Sequence, residues 1–403
     1  MANTFLTPSV FASEALMLLE NDLVLGNKVH TDYSDEFAMV GDTISIRRPT
    51  AYQGQANNLD LTSYTEDITQ GKTTISMNKT LSVKVNIGVL DRTLSFDRVS
   101  EDVIKPVVVK FKDAIEASLS ANYAAFYWFT GTPGTVPSTF LELGTARAIL
   151  TDAAVSGDIF AVHGTEASLK LADGLKGVYV SQKAKTAFED AEIGRYAAMM
   201  NYESVHAPTH TVGALGGTPL VNGGSQDVTY AASKDIWTQT LNTDGWSNSV
   251  TGVLKAGDII TIAGVYAVNP ISKASTGRLQ TFVVTADANS NGSGAAALTI
   301  SPPIITSGAY QTVSAAPADN AAITVKTGTA ATGYKQSLVM HPKAMCLVTR
   351  PLNIPQGAGV KTSTKTGNRV TISVTEWVNG NTLEHFMRFD MLWGTKALDP
   401  RLA

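Results

Sequence analysis

Between residues 216 and 336 the chain changes character, and that change limits its fold more than any other feature. Strand-sized apolar runs at 258–262, 280–284, 297–300 and 322–325 alternate with turns such as Ala288-Asn289-Ser290-Asn291-Gly292, and Thr, Ser, Gly, Ala, Val and Ile dominate throughout. Short strands at this spacing, punctuated by residues that tolerate tight turns, fold as a sandwich or small barrel. Helical periodicity precedes the block and alternating strands follow it, so the block interrupts a second architecture. A chain of 403 residues exceeds what one core usually organises, which leaves room for such an insertion.

Around the insertion the expected elements are mixed. Thr7-Pro8 is a helix start, with Ala12, Leu16, Leu19 and Leu23 at helical spacing and Gly26 as a stop. This arm is too small for a core of its own and must dock elsewhere. Residues 42–49 and 75–89 alternate as strands, and the polar, turn-rich span 51–72 between them is long for a plain connection, as in a protruding hairpin. Val108, Phe111, Ile115, Leu119 and Phe126 then predict a helix over 105–129, with Pro106 acceptable in its first turn and a kink in any helix begun at Ser100. Residues 139–202 read as α+β, with a strand at 158–162 and a helix at 181–190. Residues 338–349, 369–375 and 389–393 read as closing strands.

Only 16% of residues are charged, against roughly a quarter in average soluble domains. Such a chain either buries surface against copies of itself or is a β-rich monomer with a Ser/Thr surface. A net charge of -4 argues against a dedicated nucleic-acid binder, which carries a basic stripe. The single Cys346 sits in an apolar run and reads as a buried thiol. No stretch has the roughly 20 apolar residues of a membrane span, and no signal peptide is expected.

Residues able to carry chemistry are isolated from one another along the sequence. The full phosphate-loop spacing, a nucleophile elbow and a zincin helix are all missing from the sequence. His206 and His210 stand four apart, but Pro208 between them argues against a helical metal site, so both are expected to face solvent. Glu189, Asp190 and Glu192 read as a solvated helix end, and Trp237 and Trp246 as packing or contact residues. No catalytic, cofactor-binding or metal residues are assigned.

The order of elements, together with Leu254-Lys255-Ala256-Gly257-Asp258-Ile259, the segment from Ile193-Gly194-Arg195 to Val212-Gly213, His341-Pro342-Lys343-Ala344 and Arg388-Phe389-Asp390-Met391-Leu392-Trp393-Gly394, resembles the major capsid (coat) proteins of tailed bacteriophages. Their fold is shared with the herpesvirus capsid floor, and the likeness is to the short-tailed-phage type with an inserted β-barrel domain. The resemblance implies an α+β fold with an N-terminal arm (1–41), an extended E-loop hairpin (42–90), a peripheral P-domain with a long spine helix (91–152), and a central A-domain (153–222 and 338–370). It also implies an inserted all-β domain (223–337) and C-terminal strands of the P-domain (371–403). It further implies self-assembly into hexamers and pentamers of an icosahedral shell, through a scaffolded procapsid that expands on maturation. The implied partners are a scaffolding protein, a portal protein and loosely held double-stranded DNA, with no membrane. The implied location is the virion, with the host cytoplasm during assembly. A loop at 225–245 would match the family's capsomer-bridging loop, although it has few acidic residues.

Within the hairpin, Arg47, Arg48, Leu59, Leu61, Glu66, Asp67 and Ile68 are the candidate subunit contacts. A free two-stranded ribbon is marginal in water, so its apolar residues need partners, expected on an adjacent chain. A phage tail or decoration protein would share the low charge and Thr/Gly-rich strands, but has no need of a backbone helix beside an α+β domain. A carbohydrate-active protein would require an export signal or paired acids, which are missing.

Overall fold

The computed structural model describes residues 8–34, 43–54, 62, 65–87, 100–175, 194–352, 354, 357, 360–367, 369–379, 381 and 384–403. The expected helix at 181–190, the cluster Glu189, Asp190 and Glu192, and the hairpin residues Leu59 and Leu61 lie outside the described residues.

In chain order the helices are α1 (Pro8–Asp22), α2 (Lys105–Ser120), α3 (Phe140–Asp152), α4 (Thr165–Leu175) and the short α5 (Tyr230–Ser233). The strands are β1 (Thr43–Arg47), β2 (Lys72–Ser76), β3 (Lys79–Ile87), β4 (Phe160–His163), β5 (Arg195–Tyr196), β6 (Met199–Glu203), β7 (Thr209–Thr211), β8 (Gly217–Val221), β9 (Gln239–Trp246) and β10 (Ile259–Val268). There follow β11 (Ser275–Val284), β12 (Ala296–Ser301), β13 (Ile323–Val325), β14 (Gly333–Lys335), β15 (Leu338–Met340), β16 (Met345–Arg350), β17 (Val360–Thr366), β18 (Thr371–Val378) and β19 (His385–Ala397). The chain divides into two compact units, one of residues 1–44, 74–121 and 345–396 and the other of 45–73, 122–344 and 397–403.

In the first unit, β19 pairs with β16 and β18, β17 flanks β18, and β3 runs antiparallel to β19 from Lys79–Trp393 to Ile87–His385. Phe11, Ala12, Ala15 and Leu19 form the buried stripe of α1, which lies against β17, β18 and α2. Each fully buried large side chain contributes about 1.5–3 kcal/mol. The expected arm therefore docks on its own unit, with Ala15 taking the place expected for the half-buried Leu16. The chain leaving α1 is held by Glu116 of α2: this fully buried carboxylate accepts the backbone N–H groups of Val24, Leu25 and Gly26 at 2.9, 3.1 and 3.1 Å.

The expected helix over 105–129 is shorter. A π-helical turn at Ser100–Ile104 precedes α2, Pro106 lies in its first turn, and after Ser120 the chain tightens to a 3₁₀ turn at Ala121–Ala125. A 3₁₀ turn advances about 2.0 Å per residue and rotates the following aromatic side chains off the helical stripe, which periodicity alone does not register.

In the second unit, α3 begins with a capping box in which Thr139 and Glu142 satisfy each other's backbone N–H groups. With α4 it covers the sheet β15-β4-β6-β5, around Leu143, Leu150, Ile159, Leu171 and Met199. The inserted domain is a six-stranded antiparallel sheet of order β13-β10-β11-β12-β9-β8. Its two ends meet through the Leu220–Ala322 bridge and the bond from Val221 N–H to Ala321 O, so it closes as a barrel with no free edge. Val221, Leu241, Ile260, Phe282 and Leu298 fill it.

Two expected borders move. The barrel begins at Gly217, ahead of 223, because β8 is its closing strand. Residues 345–370 join the sheet of the first unit together with 371–396 instead of staying with the central domain. A fragment of residues 209–335 should melt cooperatively, whereas one of 223–336, stripped of β8 and the buried Val221, should be less stable by about 3 kcal/mol in urea unfolding. In the full chain, Glu116→Ala leaves three backbone donors without their acceptor and should cost about 3–5 kcal/mol by the same measurement, with Glu116→Gln recovering part of it.

Candidate functional site

Two features of the second unit bring distant polar residues together: the neck of the barrel and the foot of the hairpin, described over residues 45–54 and 65–73. At the neck, β7 on the way in pairs with β14 on the way out, His210 opposite Tyr334. Beneath that ladder lies Asp258, which is fully buried. Its carboxylate accepts from His210 Nε2 (2.9 Å), Thr327 Oγ1 (2.6 Å), Gly213 N–H (3.0 Å) and Lys255 N–H (2.7 Å). Burial alone pushes the Asp258 carboxyl up, but the four donors outweigh it and hold the group below its usual value. His210 Nδ1 pairs with the Tyr123 hydroxyl at 3.0 Å.

The geometry explains two residues that spacing left unassigned. The turn Leu254-Lys255-Ala256-Gly257-Asp258 aims its aspartate inward, and Gly257, at φ 100°, lies where a Cβ would stand 2.9 Å from His210 Nδ1. His210 was expected at the surface, but it is 1% exposed because a strand, and not a helix, carries it into the neck. His163 and His385 are also buried, and His385 Nε2 pairs with Glu376 at 2.5 Å. Cys346 is buried as expected, and burial first, with Asp32 nearby, pushes its thiol up to about 12.

The arm rises from the β1–β2 ladder, closed by the bond from Arg48 N–H to Gly71 O at 2.8 Å. Its foot rests on the barrel. The Tyr310 hydroxyl accepts Ala51 N–H at 3.0 Å and donates to Thr69 O at 3.2 Å, so one group ties the outgoing and returning chains. The Tyr310 ring stacks on Tyr230 at 3.5 Å between centroids and 5° between planes. Trp237 meets Tyr230 edge-on, and the Arg48 guanidinium lies 5.2 Å from the Trp237 ring centroid. Asp235 accepts Lys72 N–H at 3.1 Å. Burial pulls the Arg48 guanidinium down from its usual value and pushes the Tyr230 hydroxyl up to about 12.

Trp237 has φ 55°, a conformation that costs a bulky residue on the order of 1–3 kcal/mol and persists only where its surroundings hold it. Here the bond from Trp237 N–H to Ser233 O, at 2.7 Å, and the aromatic contacts do so.

Among the expected contact residues, Arg48 lies against Trp237 of the chain's own barrel domain. The anchors of the foot, Tyr230, Trp237 and Tyr310, come from the insertion. Glu66 is used within the arm, accepting Gln53 N–H (3.1 and 3.0 Å) and Gly54 N–H (2.7 Å). Arg47, Asp67 and Ile68 are exposed, Ile68 by 74%. Tyr52, 57% exposed, follows Ala51 where the two chains are tied, and Ile236, 66% exposed, follows Asp235. The segment 225–245 supplies part of the foot and the barrel strand β9.

The family model described as P22 coat protein - gene protein 5 matches residues 1–403. The major capsid protein of Acyrthosiphon pisum secondary endosymbiont phage 1 is 24% identical over 378 residues, covering 90% of this chain and 88% of that protein. Among solved structures, that of Mycobacterium phage Che8 aligns over 94% of this chain and 89% of its own at 10% identity and TM-score 0.45. The CUS-3 coat protein I-domain aligns over 28% of this chain and 99% of its own at 27% identity and TM-score 0.21.

The Asp258 carboxyl is held below its unfolded value, so its contribution to stability is present above about pH 4 and is lost as pH falls through the lower folded value. Asp258→Asn should lower stability by about 3–5 kcal/mol at pH 7. In urea unfolding series from pH 7 to pH 3, the gap between the two proteins should hold to about pH 5 and narrow below pH 4.

Proposed function

Because the chain belongs to the P22 coat protein family and is a phage major capsid protein that forms the shell, we propose that its arm makes the contact by which copies join into hexamers and pentamers. The observation carrying this reading is the arm itself: its foot is anchored on its own barrel, yet Tyr52 and Ile68 stand exposed just beyond the tie. Large exposed apolar side chains gain free energy only when covered, and the partner always present in a shell is another copy. Arg47 and Asp67, exposed beside them, set register more than affinity, since surface ion pairs contribute about 0–1 kcal/mol.

The remaining roles follow the same reading. The chain is a structural component of the virion with no catalytic part, made in the host cytoplasm and assembled around a scaffolding protein, with a portal protein at one vertex. The shell expands as DNA enters. A net charge of -4 fits loose contact with the packaged double helix and not a tight phosphate grip. Many weak contacts spread over arms suit assembly, because a single strong one traps misjoined intermediates.

Replacing Tyr52 and Ile68 together by serine leaves the foot's hydrogen bonds at Ala51 and Thr69 in place. The variant should melt as the parent does while light scattering shows no shell formation. Assembly at the parent's rate would sink the arm reading, and loss of the folded monomer would assign the arm to the fold instead.

A further inference from the structure

The foot joins the arm to the barrel over residues 48–51 and 69–72. Within it the two chains of the arm are tied by Arg48 and Gly71, and above it Glu66 ties the return to Gln53 and Gly54. Between these ties, the Tyr310 hydroxyl engages both chains with its donor and its acceptor in use. The ring that carries it is held flat against Tyr230, which Trp237 holds in turn. The contact is also close: a Cβ at Gly71 would stand 2.3 Å from Lys234 O. The arm therefore leaves the barrel along one line.

The joint is not simply the most stable packing open to these residues. Trp237 holds a left-handed backbone conformation, and Arg48 Nε and Trp237 Nε1 are covered without hydrogen-bond partners. Strain and uncompensated donors gathered at one place are characteristic of elements that set a geometry or change it.

We propose that the aromatic clamp of Tyr310, Tyr230 and Trp237, closed by Arg48, is a positioning device: it fixes the direction in which the arm leaves its own subunit and thereby the angle at which neighbouring copies join. The inserted barrel then acts in assembly through the arm. This inference rests on the arm reading above and goes beyond it, because an arm can be needed for joining without its direction being set by the barrel.

The test uses the full chain with Tyr310→Phe, which removes the bridging hydroxyl and keeps the ring, and Gly71→Ala, which wedges the return chain off Lys234 O and the Tyr230 hydroxyl. Amide exchange at Ala51 should quicken by about tenfold or more in Tyr310→Phe, as expected for a lost hydrogen bond or two. The melting midpoint should stay within a few degrees of the parent. Electron microscopy of assembly products should show shells of altered diameter, open sheets or tubes. Unchanged exchange at Ala51 overturns the clamp. Faster exchange with shells of the parent's uniform diameter overturns its positioning role. The double variant Tyr52→Ser, Ile68→Ser runs in parallel: if it assembles normally, the arm reading fails and the proposal falls with it. If it does not assemble while both clamp variants build parent-like shells, the clamp proposal alone falls. Should Gly71→Ala not fold, Tyr310→Phe decides by the same readings.

Discussion

A buried carboxylate with four donors holds the second unit together. An unpaired Asp258 would be expelled from a closed core, since burying a lone charge costs several kcal/mol. It stays because His210 and Gly213 arrive from the incoming chain, Thr327 from the outgoing one, and Lys255 from its own turn. Each donor lies on a segment that would otherwise be free to diverge at the neck. The barrel therefore has a defined stem: the β7–β14 ladder closes over the knot, and β8 and β13 meet to complete the sheet. The first unit uses the same device at Glu116, where a buried carboxylate gathers three consecutive N–H groups and turns the chain out of α1.

A defined stem makes the barrel useful as a footing. A ribbon of two chains has little stiffness of its own, and its direction is decided where it is held. Here it is held by aromatic rings presented from α5, the turn after it and the loop at Tyr310, all fixed to a closed barrel. A shell-forming chain needs surfaces that are sparing in charge yet not aggregation-prone. Closing the barrel edge serves both needs, and among the described residues of the arm the exposed large apolar side chains, Tyr52 and Ile68, are scattered.

Much of this was legible beforehand. The stripe of α1, the barrel strands, the alternation of residues 79–87 and the buried Cys346 all follow from patterns read over a few residues, where spacing and side-chain size act directly. The misreadings share a cause. The helix expected to run to Phe129 stops at Ser120, because the packing of the following aromatics, and not propensity, decides its last turns. His210 looked like a surface residue because its partner Asp258 is 48 positions away. The foot is not legible in local spacing because Tyr310 is more than 240 residues from Ala51 and Thr69.

Sequence by itself determined which class of chain this is: an α+β body interrupted by a β block, low in charge, without the motifs of an enzyme, and with an order of elements that resembles phage coat proteins. Those properties are carried by local periodicity, turn chemistry and composition, which need no knowledge of what meets what. Tertiary structure alone decided that the block closes into a barrel, that Asp258 and Glu116 are the knots, and that the arm stands on its own subunit's aromatic foot. Each of those depends on one hydroxyl or carboxylate finding several partners scattered along the chain, and hydrogen-bond geometry at 2.6–3.2 Å is satisfied only after the core has brought them together.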